Sequence, residues 1–287
     1  MSDDRPAKGD EQSNQASGLR STQARLFPTI LHSVDGARIG ERVVAVEAPI
    51  AIEVNGLGYA VMMATPDDLV DFGTGFALTE RLVAVREDVL EVTPHQTDKG
   101  WILRIWVEEH RFSAVRERVR HRVADSGCGL CGLENLEQAL RPLPHVKMQP
   151  AAKSPAIFLA LSRLKKYQAL SQATGAVHAA ALCDDDGAIL LVREDVGRHN
   201  SFDKLIGAAA LNDLSMASGF VLLSSRCSYE LVEKAVVVGV PLLVTISAPT
   251  SLAVDMSKAC ALTLVSLARS DSILVLSDPY KSFSSDI

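Results

Sequence analysis

Short runs of hydrophobic residues alternate with polar ones in the first half of the chain and predict strands. Residues 43–54 and 59–63 flank Asn55-Gly56, a pair typical of the tight turn between antiparallel strands. Another alternating run at residues 101–107 predicts a further strand. Between these runs, Thr65 is suited to cap a helix with an apolar face. The first half is therefore predicted to be an α+β domain.

The second half alternates strand and helix patterns. The predicted helices cover residues 154–170, 200–211, 229–238 and 252–261, and the predicted strands cover residues 176–183, 188–192, 220–224, 242–246, 262–267 and 273–276. The later strands are apolar throughout, as expected for a mostly parallel sheet covered on both faces. The pattern predicts an α/β protein with an N-terminal α+β domain at residues 26–150, which ends in a linker at residues 142–150, and an α/β domain at residues 151–287.

Composition narrows the class of protein. With 47% hydrophobic and 22% charged residues, the chain reads as globular, and its polar residues 1–25 predict a disordered tail without the apolar segment of a signal peptide. No apolar stretch is long enough to predict a membrane span. Five cysteines and no export signal predict free thiols in the cytoplasm. A net charge of −6 argues against general nucleic-acid binding.

Two thiols stand three residues apart in the glycine-rich run Cys128-Gly129-Leu130-Cys131-Gly132. Such a pair binds a metal, cycles through a disulfide or carries a sulfur atom. A structural zinc site needs a second ligand pair, but the other cysteines stand alone in apolar segments: Cys183, Cys227 and Cys260. A thioredoxin-type pair follows an early strand, whereas this pair lies in mid-chain. Sulfur carriage or a cysteine nucleophile remains, and the five arginines of residues 111–122 would lower a nearby thiol pKa.

Three polar segments follow predicted strands in the second half, at residues 193–200, 224–228 and 247–251. A doubly wound sheet binds ligands at such strand ends, and each segment precedes a helix whose free N–H groups suit a phosphate. Ordinary helix capping uses the same residue types and is the alternative interpretation. The side chains predicted to contact an anion are Arg198, His199, Asn200, Lys204 and Arg226.

Taken together, these motifs resemble FdhD, the formate dehydrogenase accessory sulfurtransferases. The resemblance rests on Thr65-Pro66-Asp67-Asp68-Leu69 with Leu78-Thr79-Glu80, Cys128-Gly129-Leu130-Cys131-Gly132, Val177-His178-Ala179-Ala180-Ala181, Glu194-Asp195-Val196-Gly197-Arg198-His199-Asn200 with Asp203-Lys204, and Ser225-Arg226 with Ser228, Glu230 and Lys234. It implies a cytidine-deaminase-like, three-layer α/β/α C-terminal domain and a homodimer. It also implies that sulfur from a cysteine desulfurase passes, as a cysteine persulfide, to the molybdenum (or tungsten) bis(molybdopterin guanine dinucleotide) cofactor. Formate dehydrogenase needs that sulfurated cofactor, which is a bound substrate; no permanent metal is implied.

The resemblance also assigns site residues. Cys128 matches the family's persulfide-bearing cysteine and Cys131 its companion, although a predicted helix start beside Cys131 favours that thiol as the thiolate. The family's cofactor-binding stretch corresponds to Leu267, Ala268, Arg269, Ser270, Asp271 and Ser272. Further predicted cofactor contacts are His178, Arg198, His199, Asn200, Lys204, Ser225 and Arg226. Asp271 and Ser272 replace the family's usual Gly-Arg ending, and an acidic residue near a phosphate is unfavourable.

Competing functions make different predictions. A zinc deaminase needs a His-x-Glu motif, whose Glu shuttles protons, and a Pro-Cys-x-x-Cys motif that supplies two metal ligands. Here Ala180 stands where the Glu would be needed after His178, and Cys227 has no partner three residues on. Deaminase chemistry is therefore not expected. A chaperone that ferries the molybdenum cofactor without sulfur chemistry, and a structural zinc protein, remain as alternatives.

Overall fold

The computed structural model describes residues 19–112, 115–116 and 142–283 of the 287-residue chain. Both cysteines of the CxxC pair, Cys128 and Cys131, lie outside the described residues, as does most of the basic run at residues 111–122. Within the described residues, twelve strands form three sheets.

An antiparallel hairpin of β1 (Ala24–Ser33) and β2 (Gly36–Ala45) begins the described chain. Sequence patterning missed β1 and placed residues up to 25 in a tail. The reason is that apolar side chains occupy both faces of this hairpin, so the run lacks simple alternation; Leu26 is 52% and Ile39 86% exposed. Just before β1, Arg20 and Gln23 bind the carboxylate of Asp67, which orders the end of the predicted tail.

A four-stranded sheet follows in the order β4-β3-β6-β5. Its strands are β3 (Ala48–Val54), β4 (Leu57–Ala64), β5 (Val89–Thr97) and β6 (Gly100–Val107). The predicted Asn55-Gly56 turn is confirmed, with both residues at positive φ (45° and 80°). The single strand predicted at residues 43–54 is wrong, because β2 ends at Ala45 and β3 begins at Ala48. Phe72 and Phe76 of helix α1 (Leu69–Thr79) pack on this sheet.

A six-stranded sheet forms most of the second half, in the order β12-β11-β10-β9-β7-β8. Its strands are β7 (His178–Cys183), β8 (Ile189–Asp195), β9 (Phe220–Leu223), β10 (Leu242–Thr245), β11 (Thr263–Ser266) and β12 (Leu274–Ser277). β9, β10 and β11 are parallel, whereas the β7–β8, β7–β9 and β11–β12 pairings are antiparallel. The prediction of a mostly parallel sheet is therefore wrong. Burial on both faces makes a strand apolar whatever its direction.

Helices cover both faces of the six-stranded sheet. They are α2 (Ser154–Leu164), α3 (Ala169–Thr174), α4 (Arg198–Leu211), α5 (Tyr229–Val237) and α6 (Ser251–Ala259). Helices α4, α5 and α6 share a hydrophobic core with one face of the six-stranded sheet, and α2 shares a second core with the other face. This arrangement has three layers and confirms the α/β class. The helix predicted at residues 154–170 is interrupted by a 3₁₀ turn at Lys165–Tyr167. In the described part of the chain, every helix is too short or too polar to cross a bilayer.

Helices α1 and α4 cross at two glycines and join the two larger sheets into one body. A Cβ atom on Gly75 would lie 1.8 Å from the Asp203 carbonyl oxygen, and one on Gly207 would lie 1.8 Å from the Asp71 carbonyl oxygen. Since no side chain fits between these backbones, the close crossing depends on glycine at both positions.

The predicted linker at residues 142–150 has no helix or strand, but it is pinned to its surroundings. The Val146 N–H donates to the Cys260 carbonyl at 2.8 Å, and the Tyr280 hydroxyl donates to the Val146 carbonyl at 2.6 Å. Arg81 donates to the Pro142 carbonyl at 3.1 Å. This segment, called the strap below, is thus held by residues that follow α1, α6 and β12, and Val146 packs in the core that α4, α5 and α6 share.

Candidate functional site at the carboxyl edge of the six-stranded sheet

The polar segments predicted at strand ends meet at one edge of the six-stranded sheet. β8, β9, β10 and β11 all end there, and β7, which runs the opposite way, begins there at His178. Helices α4, α5 and α6 start just beyond those strands. This edge, called the carboxyl edge below, therefore collects the free N–H groups of three helix N-termini.

Backbone hydrogen bonds tie the loops of the carboxyl edge together in series. The Ser247 N–H donates to the Ser225 carbonyl at 3.4 Å, and the Leu267 N–H donates to the Ser247 carbonyl at 3.3 Å. The Cys227 N–H donates to the Ala248 carbonyl at 3.2 Å. These bonds fix the loop after β11, which carries the predicted cofactor-binding stretch, relative to the loop after β9.

The predicted stretch from Leu267 to Ser272 divides into a buried and an exposed part. Ala268 is 1% exposed and packs in the core beside α2, while Leu267 has a positive φ of 51°. The next four residues face solvent: Arg269, Ser270, Asp271 and Ser272. Arg269 is thus the cationic side chain that this loop offers at the carboxyl edge, and Asp271 stands two residues from it.

Two arginines and two histidines form a cationic cluster at the other end of the carboxyl edge. Burial, and then the charges of Arg198 and Arg226, lower the pKa of His178. Burial and Arg198 lower the pKa of His199 to about 4, although Glu230 acts in the opposite direction. Both imidazoles are consequently neutral near pH 7, while both guanidinium groups stay charged. The cluster therefore presents net positive charge and neutral ring nitrogens together.

Arg198 has hydrogen-bonding capacity to spare. Its buried Nε has no acceptor among the described residues. A buried unpaired donor is costly unless a ligand or water supplies an acceptor. Arg226, in contrast, is exposed in the middle of the Ser224–Ser228 loop region, and the Ser225 hydroxyl beside it donates to the Arg226 carbonyl at 3.0 Å.

Two polar residues that were not among the predicted cofactor contacts, Ser228 and Glu230, complete the cluster. The Nε2 atom of His199 lies 3.3 Å from the Ser228 hydroxyl and 3.7 Å from the Glu230 carboxylate. Burial raises the pKa of Glu230, but hydrogen bonds from the Ser228 side chain and its own backbone, together with nearby positive charge, bring it below its usual value. Ser228 is the N-cap of α5 and Glu230 lies in its first turn. Both belong to the motifs that carry the family resemblance, although neither was among the predicted cofactor contacts.

The low pKa of His199 leads to a pH dependence. In the unfolded chain a histidine titrates near pH 6.5, so between about pH 6.5 and 4 the unfolded state binds more protons than the native state. The His199 contribution to stability is therefore expected to fall as pH is lowered through that window. Chemical denaturation at pH 7 and pH 5 should show that the free energy of unfolding falls less for His199→Asn than for the unchanged chain. An equal fall in both proteins would contradict the low pKa.

Beneath the cluster, a fully buried ion pair holds the loop between β8 and α4. Lys204 Nζ lies 2.6 Å from the Asp195 carboxylate and donates to the Thr65 carbonyl at 2.9 Å. The same carboxylate accepts from the N–H groups of Gly197 (2.7 Å) and Thr65 (3.0 Å), and from the side-chain amide of Asn200 (3.0 Å). Four donors therefore converge on the buried Asp195 carboxylate, and they fix the positions of Arg198 and His199.

This network corrects two expectations from the sequence. Thr65 is not the cap of α1: the helix begins at Leu69 after Asp68, and the Thr65 hydroxyl accepts instead from the Val196 N–H at 3.2 Å. Lys204 and Asn200 were predicted to contact an anion, but the structure buries them at 0% and 3% exposure with their polar groups engaged. They support the cationic cluster from below and do not face the ligand side of the carboxyl edge.

A second buried ion pair links α4, α5 and α1. Lys234 Nζ donates to both carboxylate oxygens of Asp203 at 2.8 and 2.9 Å, and to the Thr79 hydroxyl at 2.9 Å. The Thr79 hydroxyl in turn donates to Asp203 at 2.7 Å. This pair fixes α5, and with it Ser228 and Glu230, against the α1–α4 crossing.

The three cysteines outside the CxxC pair are buried, as the sequence predicted. Burial raises the pKa of Cys183 and of Cys227 to about 12, and raises that of Cys260 in spite of the nearby Arg81 charge. A thiol with such a pKa is protonated near neutral pH and is a poor nucleophile. Reactive sulfur chemistry in this chain therefore falls to the CxxC pair.

The fold and the carboxyl edge define a three-layer α/β protein with a cationic loop cluster at the strand ends. The sequence matches the FdhD/NarQ family over residues 45–282, and the chain belongs to that family. It is 42% identical over 238 residues to the sulfur carrier protein FdhD of Variovorax paradoxus, covering 83% of this chain and 86% of the relative. It is 44% identical over 233 residues to the protein of the same name from Chromobacterium violaceum, covering 79% and 85% respectively.

A solved structure shares this architecture. It is that of a putative formate dehydrogenase accessory protein from Desulfotalea psychrophila, which superposes with a TM-score of 0.69 over 90% of this chain and 99% of that one. At 23% identity this likeness concerns the fold. The family expected from the sequence motifs is confirmed by the match over residues 45–282 and by the relatives of 42–44% identity.

Proposed function

We propose that this chain is a sulfurtransferase that takes sulfur from a cysteine desulfurase and delivers it to the molybdenum or tungsten bis(molybdopterin guanine dinucleotide) cofactor of a formate dehydrogenase. The observation that carries the proposal is the family match across residues 45–282, a range that includes the CxxC pair and the carboxyl edge. Relatives with 42–44% identity bear the name sulfur carrier protein FdhD. In this proposal the chain acts as a homodimer in the cytoplasm.

Sulfur loading is a thiol exchange at the CxxC pair. The Cys128 thiolate attacks the outer sulfur of the desulfurase persulfide, a sulfur–sulfur bond in the donor breaks, and the desulfurase thiolate leaves. Cys128 then carries the persulfide. Attack of the Cys131 thiolate on the inner sulfur would form a Cys128–Cys131 disulfide and release the outer sulfur as hydrosulfide; the two electrons that reduce this sulfur come from the cysteine pair. A dithiol reductant restores the pair for the next cycle.

The carboxyl edge holds the anionic substrate in this proposal. Arg198 and Arg226 supply charge-assisted hydrogen bonds, and the starts of α4, α5 and α6 supply backbone N–H donors for phosphate oxygens. Arg269 extends the positive surface to the loop after β11, two strands or roughly 10 Å from β9. The neutral ring nitrogens of His178 and His199 are suited to exchange hydrogen bonds with a base or sugar.

Sulfur loading is tested by incubating the chain with a cysteine desulfurase and cysteine, followed by mass spectrometry of the peptide that contains Cys128 and Cys131. We expect one added sulfur atom on this peptide, lost in Cys128→Ala and retained in Cys131→Ala. Cys260→Ala is the matched control, because its buried thiol has a raised pKa, and it should load normally. An unmodified peptide in the unchanged chain would exclude the sulfur relay.

Activation of a formate dehydrogenase separates sulfur transfer from simple cofactor delivery. If Cys128→Ala abolishes activation while still binding the cofactor, sulfur transfer is supported. Full activation by Cys128→Ala would instead favour a chaperone that delivers the cofactor without sulfur chemistry.

Binding of guanosine diphosphate tests the carboxyl edge, since this nucleotide presents the guanine and phosphates of the proposed substrate. Removing one charge-assisted hydrogen bond is worth roughly 1.5–3 kcal/mol, so Arg198→Gln and Arg226→Gln should each weaken binding about tenfold in calorimetry. Lys258→Gln, which removes an exposed charge near the far end of α6, should bind like the unchanged chain. Equal affinity in all four proteins would place the nucleotide elsewhere.

A further inference from the structure

A large cavity lies at the opposite end of α4 and α5 from the carboxyl edge. Its volume is about 820 Å³, and it is lined by the end of α1, the C-terminal ends of α4 and α5, and the strap. Since the 14 residues of α4 span about 21 Å, the cavity and the cationic cluster are separate places on the molecule.

The walls of this cavity are apolar. Ile206 and Ala210 of α4, Met216 after it, and Val236 of α5 face Val146 of the strap across the space. The volume falls within the range of about 300–1,000 Å³ that is typical of small-molecule sites, which are mostly lined by apolar side chains. A ligand with a hydrophobic body would therefore fit the walls.

The rim of the same cavity is cationic. Arg81, Arg86, Arg111 and Lys147 line it together with His145, whereas its described lining includes neither aspartate nor glutamate. Asp88, outside the lining, pairs with Arg111 at 2.9 Å. Arg86 and Lys147, however, form no ion pair with a residue in the described part of the chain. The rim thus has positive charge that an anion would balance.

Two of these arginines also retain unused hydrogen-bond donors. Arg86 donates a hydrogen bond from Nη1 to the Val89 carbonyl at 3.0 Å, and its buried Nε has no acceptor among the residues described. Arg81 donates from Nη1 to the Pro142 carbonyl of the strap. Its Nε and Nη2 have no hydrogen-bond acceptor among the described residues, although Nη2 lies 3.6 Å from the Glu233 carboxylate. Buried guanidinium donors without acceptors are rare and costly, and a small rotation of these side chains into the cavity would let an oxyanion at the rim accept from them.

From the apolar walls, the cationic rim and the unused guanidinium donors, we propose that this cavity binds an amphipathic anion. The ligand class is a small molecule with an acyl or aryl body, seated between α4, α5 and the strap, and a carboxylate, sulfonate or phosphate head at Arg81 and Arg86. This site is additional to the carboxyl edge and does not depend on the proposed sulfur transfer.

The test uses the fluorescence of 8-anilinonaphthalene-1-sulfonate, an aryl sulfonate, titrated into the full chain. Decanoate and 1-decanol then compete with it, because they share a ten-carbon body and differ in the charge of the head. Decanoate is expected to displace the probe at least about tenfold more effectively, since a charge-assisted hydrogen bond is worth about 1.5–3 kcal/mol. Equal displacement by the two compounds would overturn the proposal without any variant.

Variants locate the bound probe. Arg86→Gln should weaken probe binding about tenfold, and Ala210→Trp, which fills the cavity from a partly exposed position on α4, should abolish it. Ile39→Ser, on the exposed β1–β2 hairpin, is the matched control for binding to another apolar surface and should leave the affinity unchanged. Loss of binding in Ile39→Ser but not in Ala210→Trp would overturn the assignment to this cavity.

Discussion

Replacing Lys204 with methionine is expected to lower the free energy of unfolding by about 3–5 kcal/mol, because it leaves the Asp195 carboxylate buried without a counter-charge. Lys204 and Asp195 are both fully buried, and their charged atoms lie 2.6 Å apart. The Thr65 carbonyl also loses its donor at 2.9 Å. Urea denaturation followed by circular dichroism measures the change.

Two comparisons separate this effect from general damage. Lys258→Met removes an exposed ammonium and should change stability by less than about 0.5 kcal/mol. The double variant Lys204→Met/Asp195→Asn removes both charges, and it should be less destabilised than the sum of the two single variants. Strict additivity would mean that the two groups do not depend on each other, in contradiction to their contact.

The same variant also tests the role given to the buried pair. Because Asp195 accepts from the Gly197 N–H at 2.7 Å, it shapes the loop that presents Arg198 and His199. Lys204→Met should therefore weaken guanosine diphosphate binding under conditions where it remains folded. Unchanged binding by the folded variant would restrict Lys204 to stability alone.

Placing alanine at Gly207 is expected to destabilise the protein by about 3 kcal/mol, at the upper end of the cost of overpacking a core. The new Cβ would lie 1.8 Å from the Asp71 carbonyl oxygen, a backbone atom that can move away only if α1 and α4 separate. Helix propensity acts in the opposite direction, since alanine is favoured over glycine by about 1 kcal/mol within a helix. A net loss of stability would thus show that the crossing outweighs propensity.

Gly58→Ala provides the control for this substitution. Gly58 lies in β4, is exposed, and would have no atom within 4 Å of an added Cβ. We expect thermal denaturation to show little change for Gly58→Ala and a large decrease for Gly207→Ala, with Gly75→Ala similar to the latter. Stabilisation by Gly207→Ala would contradict the close approach of the two helices.

Strong local patterns predicted much of the fold. The Asn55-Gly56 turn was recognisable because both positions need positive φ, and the apolar strands β9 to β11 because they are buried on both faces. The strand β5 was missed: it is an edge strand that contains Pro94, and proline is tolerated there because one side of the strand is unpaired. The hairpin of β1 and β2 was missed because its apolar residues occupy both faces.

The sequence predicted where the candidate site lies, but not which of its polar residues face a ligand and which are buried. The polar segments after β8, β9 and β10 indicated a ligand-binding edge, and the structure brings them together there. Whether a polar residue faces a ligand or the interior is a matter of packing. Arg198 and Lys204 come from one motif six residues apart, yet Arg198 belongs to the surface cluster and Lys204 is fully buried.

By itself, the sequence determined the family, the α/β class and the chemistry available to the chain, because motif spacing and hydrophobic patterning are local properties of a sequence. The tertiary structure alone decided which charges are buried as pairs, how closely α1 and α4 cross, and that an apolar cavity with a cationic rim lies at the far end of those helices. These properties arise between residues distant in the chain. Thr65 and Asp195, 130 residues apart, meet only after folding.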